Sequence, residues 1–157
     1  MKRLFLILAL ALIGTLAFAG NTLLISGTVA ANTTINVAAL PAATTLDFTT
    51  TPGAPIAIAN VTEISNDFLG YKVTLASANG AATTAQVKGT AHGTILAYSL
   101  LYNAVAVVFS ASSATLTNVA APTGGAGVTK PLTITYTGTF LPADTYTDTL
   151  TFTITGN

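Results

Sequence analysis

The stretch Leu132–Thr155 reads LTITYTGTF (Leu132–Phe140), LPADT (Leu141–Thr145) and YTDTLTFTIT (Tyr146–Thr155). Leu132, Ile134, Tyr136 and Phe140 fall on one parity and Thr133, Thr135, Thr137 and Thr139 on the other, the period of a strand with one buried face. In the second run Tyr146, Leu150, Phe152 and Ile154 share a face, and Thr147, Thr149, Thr151 and Thr153 share the opposite one. The Leu-Pro-Ala-Asp link between them carries turn chemistry. The pattern predicts a β hairpin or two neighbouring strands of a sandwich. A one-residue slip would turn Leu150, Phe152 and Ile154 to water at roughly 2 kcal/mol each, on the order of 6 kcal/mol against a typical domain stability of about 5–15 kcal/mol. The register is therefore expected to be firm.

Working outward, the chain from Asn21 reads as short strands broken by Gly, Pro, Asn and Ala-rich links, without an amphipathic helix. Candidate strands are Leu23–Val29, Thr34–Ala38, Thr45–Phe48, Ile56–Ser65, Tyr71–Ser77, Ile95–Tyr102, Val105–Phe109 and Thr115–Val119, followed by the two at the C-terminus. The Asn79–Gly93 link has room for one more short strand. The fold class expected is all-β, an immunoglobulin-like Greek-key β-sandwich, with no second domain and no repeat.

At the other end, Met1-Lys2-Arg3, the apolar run Leu4–Leu12 and Ala17-Phe18-Ala19 are the three parts of a secretory signal peptide. Cleavage after Ala19 would leave residues 20–157 as a single sandwich-sized domain; the other reading of the segment is a retained anchor, for which the apolar run is short. Residues 20–157 hold three lysines against five carboxylates, a formal −2. There is no basic patch to neutralise phosphates, so nucleic acid is an improbable partner, and so is an anionic lipid surface. Stable membrane insertion after cleavage is not expected. Without cysteine, neither a disulfide framework nor a thiolate zinc site can form.

Four segments carry a family resemblance: I-S-G-T-V (Ile25–Val29), S-N-D-F-L-G-Y-K-V-T-L (Ser65–Leu75), Y-S-L-L-Y-N (Tyr98–Asn103) and L-P-A-D-T-Y-T-D-T-L-T-F-T-I (Leu141–Ile154). With the signal peptide, they resemble the spore coat protein U and fimbrial-pilin-like group of secreted β-sandwich proteins. The closing turn is the most specific part, with Pro142, Ala143, Tyr146 and Asp148 at the places of that group's Pro-Ala-Gly-x-Tyr-x-Asp. Asp144 stands where the group has Gly, and the group's cysteine pair is missing. The resemblance implies an immunoglobulin-like sandwich, export to the periplasm or cell surface, and assembly into pili or a coat by strand donation.

Strand donation makes a demand on the sequence: an alternating apolar extension able to fill a neighbour's groove. Leu23, Ile25 and Val29 share one parity, with Gly27 between them, although Leu24 interrupts the alternation. The same residues also read as the first strand of a self-contained sandwich. Other candidates for chemistry are thin. His92 is the only histidine and reads as a solvated loop residue. Asp144 and Asp148 bracket a turn, where turn formation and strand-edge solvation account for them without a metal, and Asp47, Glu63 and Asp67 are scattered. No nucleophile elbow occurs. The reading names no catalytic residue, metal ligand or cofactor.

The expected function is an exported structural or adhesive surface subunit, self-associating or joining other surface subunits, and not an enzyme. The alternative is a secreted carbohydrate-binding module using Tyr71, Tyr98, Tyr102, Tyr136 and Tyr146 as stacking rings, although Tyr98 and Tyr102 share parity with Leu96 and Leu100. A remoter one is ice binding through the threonine rows, which here lack a short coil repeat. Sequons at Asn32 and Asn60 would be glycan acceptors in a host that glycosylates.

Overall fold

The computed structural model of the chain describes residues 22–157; the predicted signal segment and its cleavage point lie outside the described residues. Ten strands follow: β1 (Thr33–Ala39), β2 (Ile56–Ser65), β3 (Tyr71–Ser77), β4 (Ala85–Gly89), β5 (Ile95–Tyr102), β6 (Val105–Ala106), β7 (Ser113–Val119), β8 (Val128–Tyr136), β9 (Tyr146–Thr147) and β10 (Leu150–Gly156). The larger sheet runs β1-β2-β8-β5-β4-β9 with β6 beside β5, and the smaller runs β10-β3-β7. Every pairing is antiparallel. The result is the expected all-β fold, with its antiparallel sheets in a sandwich-like arrangement. Its core is made by Val61, Leu100, Leu132 and Ile134 of the larger sheet facing Val73 and Leu75 of the smaller.

The chain's most regular patterns give the clearest elements. Ile56–Ser65, Tyr71–Ser77 and Ile95–Tyr102 form the strands the alternation predicts, and β4 is the short strand the Asn79–Gly93 link had room for. Four expectations need correction. The C-terminal runs are not a hairpin: β8 pairs with β2 and β5 in the larger sheet, whereas β10 crosses over to pair with β3. Nine residues separate β8 from β9, ample for a crossing between layers, and Phe140 in that link is 98 % exposed.

Thr45–Phe48 is not a strand. Pro41 sets the start of a 3-10 helix over Pro41–Thr44. The Asp47 carboxylate then takes the N–H and hydroxyl of Thr49, closing a turn. Leu46 and Phe48 still pack on the core from this irregular backbone. Val105–Phe109 is a strand only at Val105–Ala106, because β4 already occupies the rest of that edge of β5. Finally, Leu23–Val29 is exposed and belongs to no sheet: β1 begins only at Thr33.

Strand direction gives the sandwich two distinct ends. At one end lie the start of β1, the β2–β3 loop and the C-terminus, joined by Asn157 N–H to Gly70 C=O (3.1 Å) and Thr123 N–H to Ser65 C=O (2.8 Å). At the other end lie the 3-10 helix, the β8–β9 link and the start of β10. Gly70 turns the chain at the first end with φ +90°, and a Cβ there would run into the backbone of Val119–Ala121. Gly70→Ala is expected to cost at least about 2 kcal/mol, from left-handed strain plus the clash, measured as a fall in the urea midpoint at unchanged slope.

Candidate functional site

The first end is closed by a buried charge. On β2, Val61, Glu63 and Ser65 share the inward parity, so Glu63 is carried into the interior, where it is fully buried. Its carboxylate accepts from Tyr71 OH (2.8 Å, β3), Tyr102 OH (2.6 Å, β5), Thr117 Oγ1 (2.7 Å, β7) and Lys130 Nζ (2.6 Å, β8). Lys130 also donates to Thr117 Oγ1 (2.8 Å) and lies 5.4 Å from the Tyr102 ring centre. Five strands from both sheets therefore meet at one side chain. Burial pushes the Glu63 pKa up, but Lys130 and the three hydroxyls outweigh it, and the group sits below the ordinary glutamate value. Burial, then the bond to Glu63, lifts the Tyr71 phenol to about 12, and the same causes raise Tyr102.

The residues of the closing turn are drawn together, and they hold structure. Asp148 accepts from Ser77 Oγ (2.6 Å), Tyr98 OH (2.6 Å), and the N–H groups of Asn79 (3.0 Å) and Thr149 (2.8 Å), tying β9–β10 to β3 and β5. Tyr146 OH reaches back to Pro142 C=O (3.0 Å). Ala143 is exposed beside it. Asp144, expected from the sequence to be solvated at a strand edge, is instead buried, its side chain 3 % exposed. It caps the β4–β5 loop, accepting from the N–H groups of Ala91, His92 and Thr145 and from Thr90 Oγ1. The N–H bonds from His92, chief among these, pull its pKa well below the usual carboxylate range. Gly89 makes this possible, since a Cβ there would collide with the Asp144 carboxylate. His92 is the exposed loop residue expected, with Nδ1 3.4 Å from Asp144.

The second end is open. Between β1 and the start of β10 lies an apolar groove of about 530 Å³, lined by Val37, Ile58, Val87, Ile134, Leu150 and Phe152 together with Phe48 and Tyr146. Leu150 and Phe152 in its wall are consequently only half-buried, as is Ile154 further along β10. Half-burial leaves them contributing less than the roughly 6 kcal/mol of full burial. Both walls are sheet edges: β1 ends the larger sheet and β10 the smaller, and among the described residues neither hydrogen-bonds to a further strand, although the two come close to each other along part of their length. Each edge is seven residues long with unbroken register and no proline or charge. Such edges are normally blunted.

The N-terminal segment is apolar and exposed. Leu23, Ile25 and Val29 are 84–87 % exposed, as is Leu24. Gly27 has nothing within 4 Å of a built Cβ. The root of the segment is fixed by Asn66, which no pattern in the sequence singled out: its side chain accepts from Asn32 N–H (2.7 Å) and donates to Ala30 C=O (2.7 Å), and its own N–H donates to Asn32 C=O (2.9 Å).

All five tyrosine hydroxyls are engaged inside the fold, by Glu63, Asp148, Asp47 C=O and Pro142 C=O. None of the rings proposed for sugar stacking is an exposed platform; four are buried and Tyr146 is half-buried. No described helix is long and apolar enough to cross a membrane. The sequence matches no known family model, and no curated protein matches it.

Glu63→Ala is expected to cost about 3–5 kcal/mol, because Lys130 and three hydroxyls lose their acceptor. The pH dependence follows from the shifts. The stability Glu63 contributes is full above about pH 4.5, the ordinary glutamate value, and is lost as pH falls through its lower folded value. The contribution of Tyr71 is full below pH 10 and is lost as pH rises toward about 12. Urea unfolding across pH 3–11 should therefore show a plateau with losses on both flanks, the acid loss being smaller in Glu63→Ala.

Proposed function

We propose that this chain is an exported structural or adhesive surface subunit, of the kind that builds a pilus, fimbria or coat, and that copies join by donating the N-terminal segment to a neighbour's groove. The observation that carries the reading is the pairing, in one chain, of an exposed apolar segment with an apolar groove flanked by two open strand edges. A strand laid along the groove against the free edge of β10 would hydrogen-bond to groups otherwise left to water and turn Leu23, Ile25 and Val29 inward, β1 giving way where it now lies close to β10. The resemblance of Leu141–Ile154 to the spore coat U and fimbrial group supports the same reading, as does the predicted signal peptide. The inward-facing tyrosines leave the carbohydrate alternative without its stacking rings.

Magnitudes set what the junction needs. Burying three aliphatic side chains contributes about 6 kcal/mol at roughly 2 kcal/mol each. Ordering the seven residues Leu23–Val29 costs about 7–14 kcal/mol at 1–2 kcal/mol per residue. The groove's own half-buried side chains and the backbone bonds along the free edge of β10 must supply the difference, so one misplaced charge is enough to abolish joining.

The test is light scattering of purified residues 20–157, with electron microscopy of the same sample. The wild type is expected to form linear species that grow with concentration. Ile25→Asp should weaken association at least about 100-fold, since it removes burial and places a carboxylate in an apolar groove. Ser26→Asp, on the opposite parity, should assemble as the wild type does. A sharp monomer over a wide concentration range would overturn spontaneous self-assembly.

A further inference from the structure

We infer that the β2–β3 loop is a second, separate contact between copies: Phe68 and Leu69 of one copy seat against the Phe140–Leu141 link of the next. The inference rests on the strand-donation reading and adds a surface that reading does not require.

Chain length imposes the contact. Val29, the last apolar residue of the donated segment, is three residues from Asn32, a span of at most about 10 Å. Asn66 pins both Ala30 and Asn32 to the β2–β3 loop with three hydrogen bonds. Whatever groove receives Val29 thus has the loop Asn66–Gly70 delivered to its mouth. The loop is held in shape by Leu69 N–H to Asp67 Oδ1 (2.9 Å), Gly70 N–H to Asp67 C=O (3.0 Å) and Asp67 N–H to Ser65 Oγ (3.2 Å). Yet this ordered loop presents Phe68 at 87 % exposure and Leu69 at 61 %, and neither belongs to the core.

Groove geometry picks the opposing surface. The half of the sandwich around Glu63 is closed, so the body of the donor must lie over the open end, where β10 begins. Val29 then sits at that end and Leu23 points inward, which makes the donated strand antiparallel to β10. The link between β8 and β9 stands at the same end, anchored by Thr139 N–H to Phe48 C=O (3.1 Å), and carries Phe140 at 98 % exposure. Two exposed apolar clusters at opposite ends of one chain, brought together by a short tether, form a head-to-tail contact, and such contacts propagate as open filaments.

The experiment uses the full secreted chain and compares four proteins: wild type, Phe68→Ser with Leu69→Ser, Phe140→Ser, and all three changes combined. The readouts are the concentration at half-assembly by light scattering and binding of a synthetic peptide of residues 22–32 to each variant carrying Ile25→Asp, which disables the chain's own segment. Each loop change is expected to raise the half-assembly concentration at least tenfold while leaving peptide binding unchanged, because the peptide carries no loop. The combined variant is expected to be no worse than either partner alone, the signature of two groups that touch. Unchanged assembly by the loop variants, with wild-type assembly and peptide binding intact, overturns the loop contact and leaves strand donation standing. Additive losses also overturn it, since the clusters would then act separately. Failure of the wild type both to assemble and to bind the peptide removes strand donation and the loop contact with it. Leu69→Ala, a milder change on the same loop, serves if the double serine variant shows a lowered thermal midpoint.

Discussion

A single carboxylate governs how this sandwich closes. Glu63 could not be ionised in an apolar interior alone, since the desolvation of one charge exceeds what a small domain can absorb. It is tolerated because an ammonium and three hydroxyls converge on it from four other strands. The requirement runs both ways: Lys130, Tyr71, Tyr102 and Thr117 each need an acceptor once buried, and Glu63 is that acceptor. In a chain without cysteine, this cluster does what a covalent bridge between the sheets would otherwise do, by a directional polar contact at one place.

Its position creates an asymmetry. The sheets are clamped around Glu63 and Ser65 and diverge toward Ala39 and Leu150, so the same strands that are buried at one end line a groove at the other. Asp148 limits the divergence by joining β9–β10 to Ser77 and Tyr98. Between these two anchors, β10 keeps its free edge and its half-exposed apolar face. The groove is thus a consequence of where the polar anchors lie, and its depth depends on them.

Much of the fold was legible because strand periodicity is a local signal. Ile56–Ser65, Tyr71–Ser77 and Ile95–Tyr102 could be delimited from alternation alone. What escaped is non-local. Nothing in Leu132–Thr155 distinguishes a hairpin from two strands in different sheets, since the partners of β10 lie 73 to 85 residues earlier, in β3. Strand status for Leu23–Val29 turned on whether an edge was available, which composition does not record. Glu63 left a usable trace, sharing parity with Val61, but its partners are spread from Tyr71 to Lys130. The structure gives Asp148 and Tyr146 of the closing turn partners within the fold, while Asn66, one polar residue inside the quoted Ser65–Leu75 segment, carried nothing that marked its role.

The tyrosines give the molecule a built-in optical report of its own closure. The chain has five of them and no tryptophan. Tyr71, Tyr98, Tyr102 and Tyr136 keep their protons to higher pH than a free phenol would, each because it is buried at a joint of the sandwich. Near-ultraviolet absorbance therefore comes mostly from rings at the seams, four of the five tyrosines. In alkaline solution their phenolate band would rise with the parting of the sheets, and the colour change would follow the opening of the structure more than the chemistry of an isolated hydroxyl.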